Sequence, residues 1–230
     1  MKRTTQIAFL LMLLPGLVTG AQFYKEKPHT DWSEKDAKKL LSNSPWAYTY
    51  TFTEMPERFT DIGRNTAGET ELKVNFRIRW LSAKPVRQAI ARLALLQKHA
   101  ESNAALAEKL DQFVNRAFPE HIVIAVDFDS NDGRLQGEVL QVMNNLVASR
   151  LHNNTYLLKN NGEKVWLADY HRPRGDGIGA QFVFPRMLND KPFVTSADKE
   201  IRFVTELSSR YSLNIRFKVA DMFYHGQLEY

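Results

Sequence analysis

The feature that most constrains the fold is an alternating segment at residues 71–81. Apolar side chains occupy every second position from Leu72 to Trp80, and polar or basic side chains fill the positions between them. Successive side chains of a strand point to opposite faces of a sheet, whereas a helix repeats about every 3.6 residues. The segment therefore predicts a strand with one face in the core and one polar face.

Helical and strand patterns on either side of this segment predict the fold class. A capping box at Ser33 and Asp36 predicts a helix to about Ser42, and apolar spacing predicts three more helices, over 85–97, 103–117 and 133–151. Strands are predicted at 46–55, 122–126, 155–158, 164–169, 180–184, 201–207 and 213–219, with a hairpin turn at 160–162. This order predicts an α+β fold with a mainly antiparallel sheet and about four helices, the main helical block lying between N-terminal and C-terminal strands.

The N-terminus has the pattern of a secretory signal peptide. Lys2 and Arg3 precede an apolar run from Ile7 to Val18, and small residues follow up to Ala21. The run is shorter than the roughly 20 residues that a membrane-spanning helix needs. We therefore expect a signal peptide at 1–21, a single α+β domain at 22–230, no integral membrane segment after cleavage, and an extracytoplasmic location, periplasmic or secreted.

Charge and cysteine usage exclude several function classes. Removal of Lys2 and Arg3 leaves 29 basic against 26 acidic residues, and the basic residues form no dense stripe. Such a small excess argues against a nucleic-acid partner. The chain has no Cys, which excludes thiolate catalysis, disulfides and cysteine-based zinc sites.

An acidic cluster after the predicted strand 122–126 is the candidate metal site. Asp127 and Asp129 carry carboxylates, which are the oxygen ligands that Ca²⁺ and Mg²⁺ prefer. Glu138 lies eleven positions after Asp127, as in a calcium loop, but Asp132 occupies the position where that loop needs Gly. The alternative is that Asp132 caps the next helix and the cluster binds no metal. No cofactor other than such a cation is expected.

The same cluster resembles the nucleophile loop of haloacid-dehalogenase-type phosphatases. The resemblance implies that Asp127 would attack phosphorus, that Asp129 would act as acid and base, and that Gly175–Gly177 with Asp176 would correspond to a later magnesium loop. Asn131 stands where that family usually has Thr or Val, and the predicted strand order is not a parallel doubly wound one.

The segment 169–179 is the most polar and glycine-rich loop of the chain. Arg172 and Arg174, together with backbone amides, are groups that bind phosphate or carboxylate. The loop joins two predicted strands and does not open a helix, so the glycine-rich nucleotide motifs do not apply. A surface loop without a ligand is the alternative.

Several longer pieces of the chain resemble a family of signal-bearing proteins from soil bacteria of the acidobacterial type, a group with no assigned function. The matching pieces are residues 32–37, 44–47, 78–86, 182–186, 198–205 and 216–229. Neither the acidic cluster nor the loop 169–179 is among them. The resemblance implies export and brings no activity with it.

Two functions follow from these observations. The first is an exported, non-enzymatic binding or envelope-associated module. The second is a phosphatase-like, divalent-cation-dependent hydrolase that uses Asp127 and Asp129, with Asp176 as a further candidate; it requires these carboxylates to meet in one pocket. The sequence indicates no particular partner or oligomeric state.

The signal peptide makes a direct prediction. We expect the mature protein purified from its native host to begin at Ala21 or Gln22, because small residues precede these positions. N-terminal sequencing measures this. A mature protein that still begins at Met1 inside the cell would contradict the predicted export.

Overall fold

The computed structural model describes residues 23–54, 71–97 and 103–230. The predicted signal peptide, residues 1–21, lies outside the described residues. In the described parts of the chain, helices and strands occur in mixed order and all strand pairs are antiparallel. The predicted α+β class with mainly antiparallel sheets is confirmed.

Three of the four predicted helices are present as single helices, and the fourth is divided into two. The helices are α1 (Phe23–Glu26), α2 (Glu34–Ser42), α3 (Lys84–Gln97), α4 (Ala104–Asn115), α5 (Gly133–Asn145) and α6 (Ala148–Leu151), with 3-10 turns at His29–Asp31 and Val219–Asp221. The predicted capping box is present, since Ser33 and Asp36 satisfy each other's backbone N–H groups. Asp132 caps α5 by accepting from the N–H groups of Arg134 and Leu135.

The strands form two larger sheets and two short hairpins. The strands are β1 (Asn43–Ser44), β2 (Ala47–Glu54), β3 (Leu72–Trp80), β4 (His121–Ser130), β5 (Tyr156–Lys159), β6 (Lys164–Trp166), β7 (Asp169–His171), β8 (Ala180–Pro185), β9 (Met187–Leu188), β10 (Lys191–Pro192), β11 (Glu200–Glu206), β12 (Ser212–Lys218), β13 (Phe223–Tyr224) and β14 (Gln227–Leu228). One sheet has the order β1-β2-β3-β4-β8-β7 and the other has the order β12-β11-β5-β6. The hairpins are β9-β10 and β13-β14.

The apolar face of β3 lies in the core between the two sheets, as the alternation predicts. The ring of Trp80 lies 5.5 Å from that of Phe217 on β12, and Phe182 of β8 lies 5.3 Å from Phe203 of β11. Helix α5 adds its apolar side chains to the same core. The two sheets are therefore held face to face by side chains that water cannot reach.

The opposite face of the six-stranded sheet carries a second, smaller apolar cluster. It consists of Leu81, Val123, Ala125 and Val183, with side chains of α3 and α4 packed against it, among them Ile90 and Phe113. Val123 and Ala125 belong to it because they alternate along β4 with Ile122 and Ile124, which face the main core. This outer cluster is the floor of the cavity described below.

The predicted strand 164–169 is wrong as a single strand. It is divided into β6 and β7, which belong to different sheets. The crossing occurs where the N–H of Leu167 donates to Thr155 O and the N–H of Ala168 donates to Val183 O. Alternation cannot reveal this crossing, because both halves keep a period of two.

The predicted helix 133–151 is also wrong as a single helix. Leu146 and Val147 adopt extended backbone conformations that separate α5 from α6. Leu146 and Leu151 are both buried, whereas Val147 is 43% exposed. The apolar spacing continued through the break, so the pattern alone could not show it.

The loop before β8 is packed against β4 at a glycine. Gly179 has φ +95°, and a Cβ atom there would lie 2.3 Å from Val126 O. Gly177 has φ +78°, but a Cβ atom there would meet nothing within 4 Å. The close approach at Gly179 fixes the end of the polar loop against the strand that carries Asp127.

These two glycines form a matched pair for mutagenesis. We expect Gly179→Ala to lower the free energy of unfolding by about 3 kcal/mol or more, since strain adds to a backbone clash. Gly177→Ala should cost about 1 kcal/mol, from the positive φ alone. Urea denaturation followed by circular dichroism measures both. Equal effects would contradict the packing of Gly179 on β4.

Candidate functional site

The structure places Asp127 and Asp129 inside a strand and not in a loop after it. Strand β4 extends to Ser130, so both carboxylates lie on its outer face. The antiparallel register sets Arg77 opposite Asp127 and Asn75 opposite Asp129. The prediction that the acidic cluster follows the strand is therefore wrong. Residues 127–130 have the polar composition of a loop, but they continue β4 as a strand with one polar face.

A ladder of polar contacts joins these residues across the sheet. The Nε and Nη2 atoms of Arg77 donate to Asp127 Oδ2 at 3.1 and 2.8 Å, and its Nη1 donates to Asp129 Oδ2. Asn75 Nδ2 donates to Asp129 Oδ1 at 2.8 Å, and Thr51 Oγ1 donates to Asn75 Oδ1 at 2.8 Å. Three neighbouring strands are thus linked on this face by side chains as well as by backbone.

The carboxylates of the ladder balance the charge of Arg77. Burial acts to lower the pKa of Arg77, but the attraction and hydrogen bonds of Asp127 and Asp129 outweigh it and raise that pKa. A cation at Asp127 and Asp129 would therefore compete with a guanidinium that already occupies their oxygens. Among the described residues no group of three or more His, Asp or Glu side chains has the arrangement of a metal site.

Arg79, two residues after Arg77 on β3, contacts three parts of the fold. Its Nε donates to Leu41 O at 2.9 Å, its Nη1 lies 3.5 Å from Gly177 O, and its Nη2 lies 3.7 Å from Asp127 Oδ2. The residue is 6% exposed. Burial lowers the pKa of Arg79 to about 10, and the charge of Asp127 opposes that effect. Arg79 thereby holds the end of α2 and the loop before β8 against the sheet.

Asp176 does not join the other two acids in one cavity. Its Oδ1 accepts from the N–H of Ile178 at 3.0 Å. Asp176 lines a cavity between α4 and the loop before β8, whereas Asp127 and Asp129 are not among the residues that line it. The convergence that the hydrolase hypothesis requires is therefore not observed for this cavity.

A cavity of about 510 Å³ lies over the outer apolar cluster, between α4 and the loop before β8. Its apolar floor and walls come from several elements: Leu81, Phe113, Phe118, Val123, Ala168, Ile178 and Val183. Its polar lining is Arg116, His121, Asp169, His171, Arg174, Asp176 and Gln181. Half of the lining residues are apolar and half are polar, so the cavity combines apolar surface with polar groups, as small-molecule sites do.

The rim carries carboxylates that have partners and guanidinium groups that lack an ion pair. Asp169 contacts His171 Nε2 at 3.0 Å and accepts from the N–H of Tyr170 at 2.7 Å. Within the described parts of the chain, neither Arg116 nor Arg174 forms a salt bridge. The guanidinium of Arg116 lies 5.2 Å from the centroid of the Phe118 ring. The two arginines are therefore available to an anion in the cavity.

The sequence indicated one wall of this cavity and missed the other. The loop 169–179 was a candidate anion site, and Arg174 does line the cavity, whereas Arg172 does not. Phe113, Arg116 and Phe118 come from the end of α4 and the segment after it, more than 50 residues earlier. No spacing rule connects these two regions, and only the packing of α4 over the sheet brings them together.

The acidic ladder gives a stability prediction. We expect Asp127→Asn to lower the free energy of unfolding by about 2–3 kcal/mol, because it leaves Arg77 and the buried Arg79 short of negative charge. Asp129→Asn should cost about 1 kcal/mol or less, since that side chain is 46% exposed. Urea denaturation at neutral pH measures both variants.

The same variants separate an ion-pair role from a cation site. We expect Mg²⁺ and Ca²⁺ to leave the Tm of the wild type unchanged. A rise in Tm with either cation that disappears in Asp127→Asn would contradict the ion-pair role and support the metal site.

Comparison with known proteins gives no match: no family model matches the chain, and neither a curated protein nor a solved structure is significantly similar to it. The resemblance to the soil-bacterial family stays a prediction. In the described part of the chain, no helix has the length and apolar character needed to cross a membrane.

Proposed function

We propose that this protein is an exported, non-enzymatic binding module whose cavity over the outer face of the six-stranded sheet takes a small amphipathic anion. The observation that carries the proposal is the combination of an apolar floor with two arginines, Arg116 and Arg174, that form no salt bridge with any described residue. The N-terminal signal pattern supports export.

The size and lining of the cavity support an amphipathic ligand. Its volume of about 510 Å³ lies within the range of small-molecule sites. Leu81, Val123 and Val183 would cover the apolar part of a ligand, and burial of apolar surface contributes about 25 cal/mol per Å². An acyl or aryl group of moderate size fits this floor.

The charges at the rim support an anionic head group. Arg116 and Arg174 present planar donor groups that bind a carboxylate or sulfonate through paired hydrogen bonds. Asp169 and Asp176 already accept hydrogen bonds from neighbouring groups of their own loop, which reduces their competition for the arginines. A carboxylate or sulfonate on an apolar body is therefore the ligand class that this lining favours.

The lining supports binding over catalysis. Among the described residues that line the cavity there is no Ser, Thr, Tyr or Lys that could act as a nucleophile. The contact between His171 and Asp169 is one part of an acid–base system, but the described lining holds no Ser, Thr or Tyr hydroxyl and no Lys amine for it to activate. The alternative of a cation-dependent hydrolase has less support, because Asp127 and Asp129 contact Arg77 and lie outside the cavity lining.

A fluorescent probe tests the proposal. We expect 8-anilinonaphthalene-1-sulfonate, an anion with an aromatic body, to bind the folded protein at one site. Arg174→Gln should weaken this binding about three- to tenfold through loss of a charged hydrogen bond, and Phe113→Ser should weaken it through loss of an apolar wall. Fluorescence titration measures the affinities, with near-ultraviolet circular dichroism to confirm folding.

The control is Arg134→Gln, which removes the same charge from a side chain that is 87% exposed on α5 and outside the cavity. It should bind the probe as the wild type does. Octanoate should displace the probe at lower concentration than octanol. Absence of probe binding, or equal competition by the acid and the alcohol, would contradict the proposed ligand class.

A further inference from the structure

A second, smaller cavity lies beside the first, where the start of α3, the end of α4 and the last residues of the chain meet. Its volume is about 320 Å³, and its lining includes Lys84, Arg87, Arg116 and Arg186 but only one acidic side chain, Glu229. We infer that this cavity is a separate site for a small oxyanion of the phosphate class. The inference goes beyond the proposed function, because it concerns a different cavity and a different ligand.

The buried guanidinium of Arg87 is the main support for an anion site. Arg87 is 5% exposed, and its hydrogen bonds go to the backbone oxygens of Leu81, Ser82 and Val114. Within the described residues it forms no salt bridge. Neutral carbonyl groups fix the orientation of the guanidinium but do not cancel its charge, and the charge of Glu229 acts on it without a salt bridge. A buried charge that is only partly compensated is costly.

Neighbouring cations add to the positive charge at Arg87. Burial lowers the pKa of Arg87 to about 10; Glu229 opposes this effect, and the positive charges of Arg116 and Arg186 reinforce it. Arg87 is therefore repelled by Arg116 and Arg186, and an anion in the cavity would reduce this repulsion. The guanidinium groups of Arg87 and Arg116 lie 5.0 and 5.2 Å from the centroid of the same ring, that of Phe118, which also lines the cavity.

Arg186 and Glu229 already have hydrogen-bond partners, and an excess of positive charge remains in the lining. Arg186 donates to Tyr230 O at 2.8 Å and lies 3.8 Å over the Tyr230 ring. Glu229 accepts from the backbone N–H of Lys84 at 2.9 Å, at the start of α3. Even without Arg186, the described lining includes three cationic side chains, Lys84, Arg87 and Arg116, and one acidic side chain, Glu229.

A phosphate group fits this arrangement better than an amphipathic ligand does. Several cations around a small volume suit an anion that carries more than one negative charge and offers several acceptor oxygens. The lining contains fewer apolar side chains than that of the larger cavity, and its volume is smaller. Free phosphate and a phosphate monoester share the chemistry that this site would recognise.

Isothermal titration calorimetry with inorganic phosphate, at constant ionic strength set with NaCl, tests the inference. We expect one site with a Kd of about 1 mM or tighter. Lys84→Gln should weaken binding about fivefold, since it removes a cation while leaving the backbone N–H for Glu229. Glycerol 1-phosphate, titrated in parallel, shows whether the site prefers the free ion or a monoester.

Matched variants assign the site. Arg174 lines only the larger cavity, so Arg174→Gln should bind phosphate as the wild type does, while Lys84→Gln should bind 8-anilinonaphthalene-1-sulfonate normally. Arg116→Gln should weaken the binding of both ligands, because Arg116 borders both cavities. Absence of phosphate binding by the wild type, or unchanged binding by Lys84→Gln, would overturn the inference. Loss of phosphate binding in Arg174→Gln would overturn it too, since phosphate would then occupy the larger cavity.

Discussion

The two-faced strand β3 is the constraint on which the rest of the structure depends. One face supplies Val74, Phe76, Ile78 and Trp80 to the core between the sheets, where their burial from water stabilises the fold. The other face carries Arg77 and Arg79, whose charges need partners because both side chains are partly or fully covered. The neighbouring strand β4 supplies those partners as Asp127 and Asp129. The acidic pair is thus accounted for by the requirement to balance charge on the outer face of the sheet.

The same molecule uses arginine in two different environments. Arg77 is held between two carboxylates, and removal of Asp127 would leave Arg77 and Arg79 short of negative charge. Arg87, Arg116 and Arg174 form no salt bridge within the described residues, and all three border a cavity. Arginines paired with carboxylates stabilise the fold, whereas arginines without a salt bridge line the two cavities. This contrast is the physical basis of both proposed anion sites.

Much of the fold could be predicted from local patterns, and less of the site. The alternation in 71–81, the capping box at Ser33 and the turn before Gly162 each depend on residues close in sequence, and each is observed. The misplacement of Asp127 arose because a strand with one polar face and a polar loop have similar composition. The change of sheet near Leu167 and the break at Val147 leave the apolar period intact, so no periodicity could reveal them.

The sequence by itself determined the α+β class, most of the helices and strands, and the absence of cysteine chemistry. Only the tertiary structure decided that Asp127 contacts Arg77, that α4 covers the sheet, and that Arg87 and Arg116 meet beside Glu229. The physical reason is the separation along the sequence of the residues that interact. Helix caps, alternation and tight turns are interactions between near neighbours, whereas a cavity and its charge balance depend on which distant side chains the packing of sheets and helices brings together.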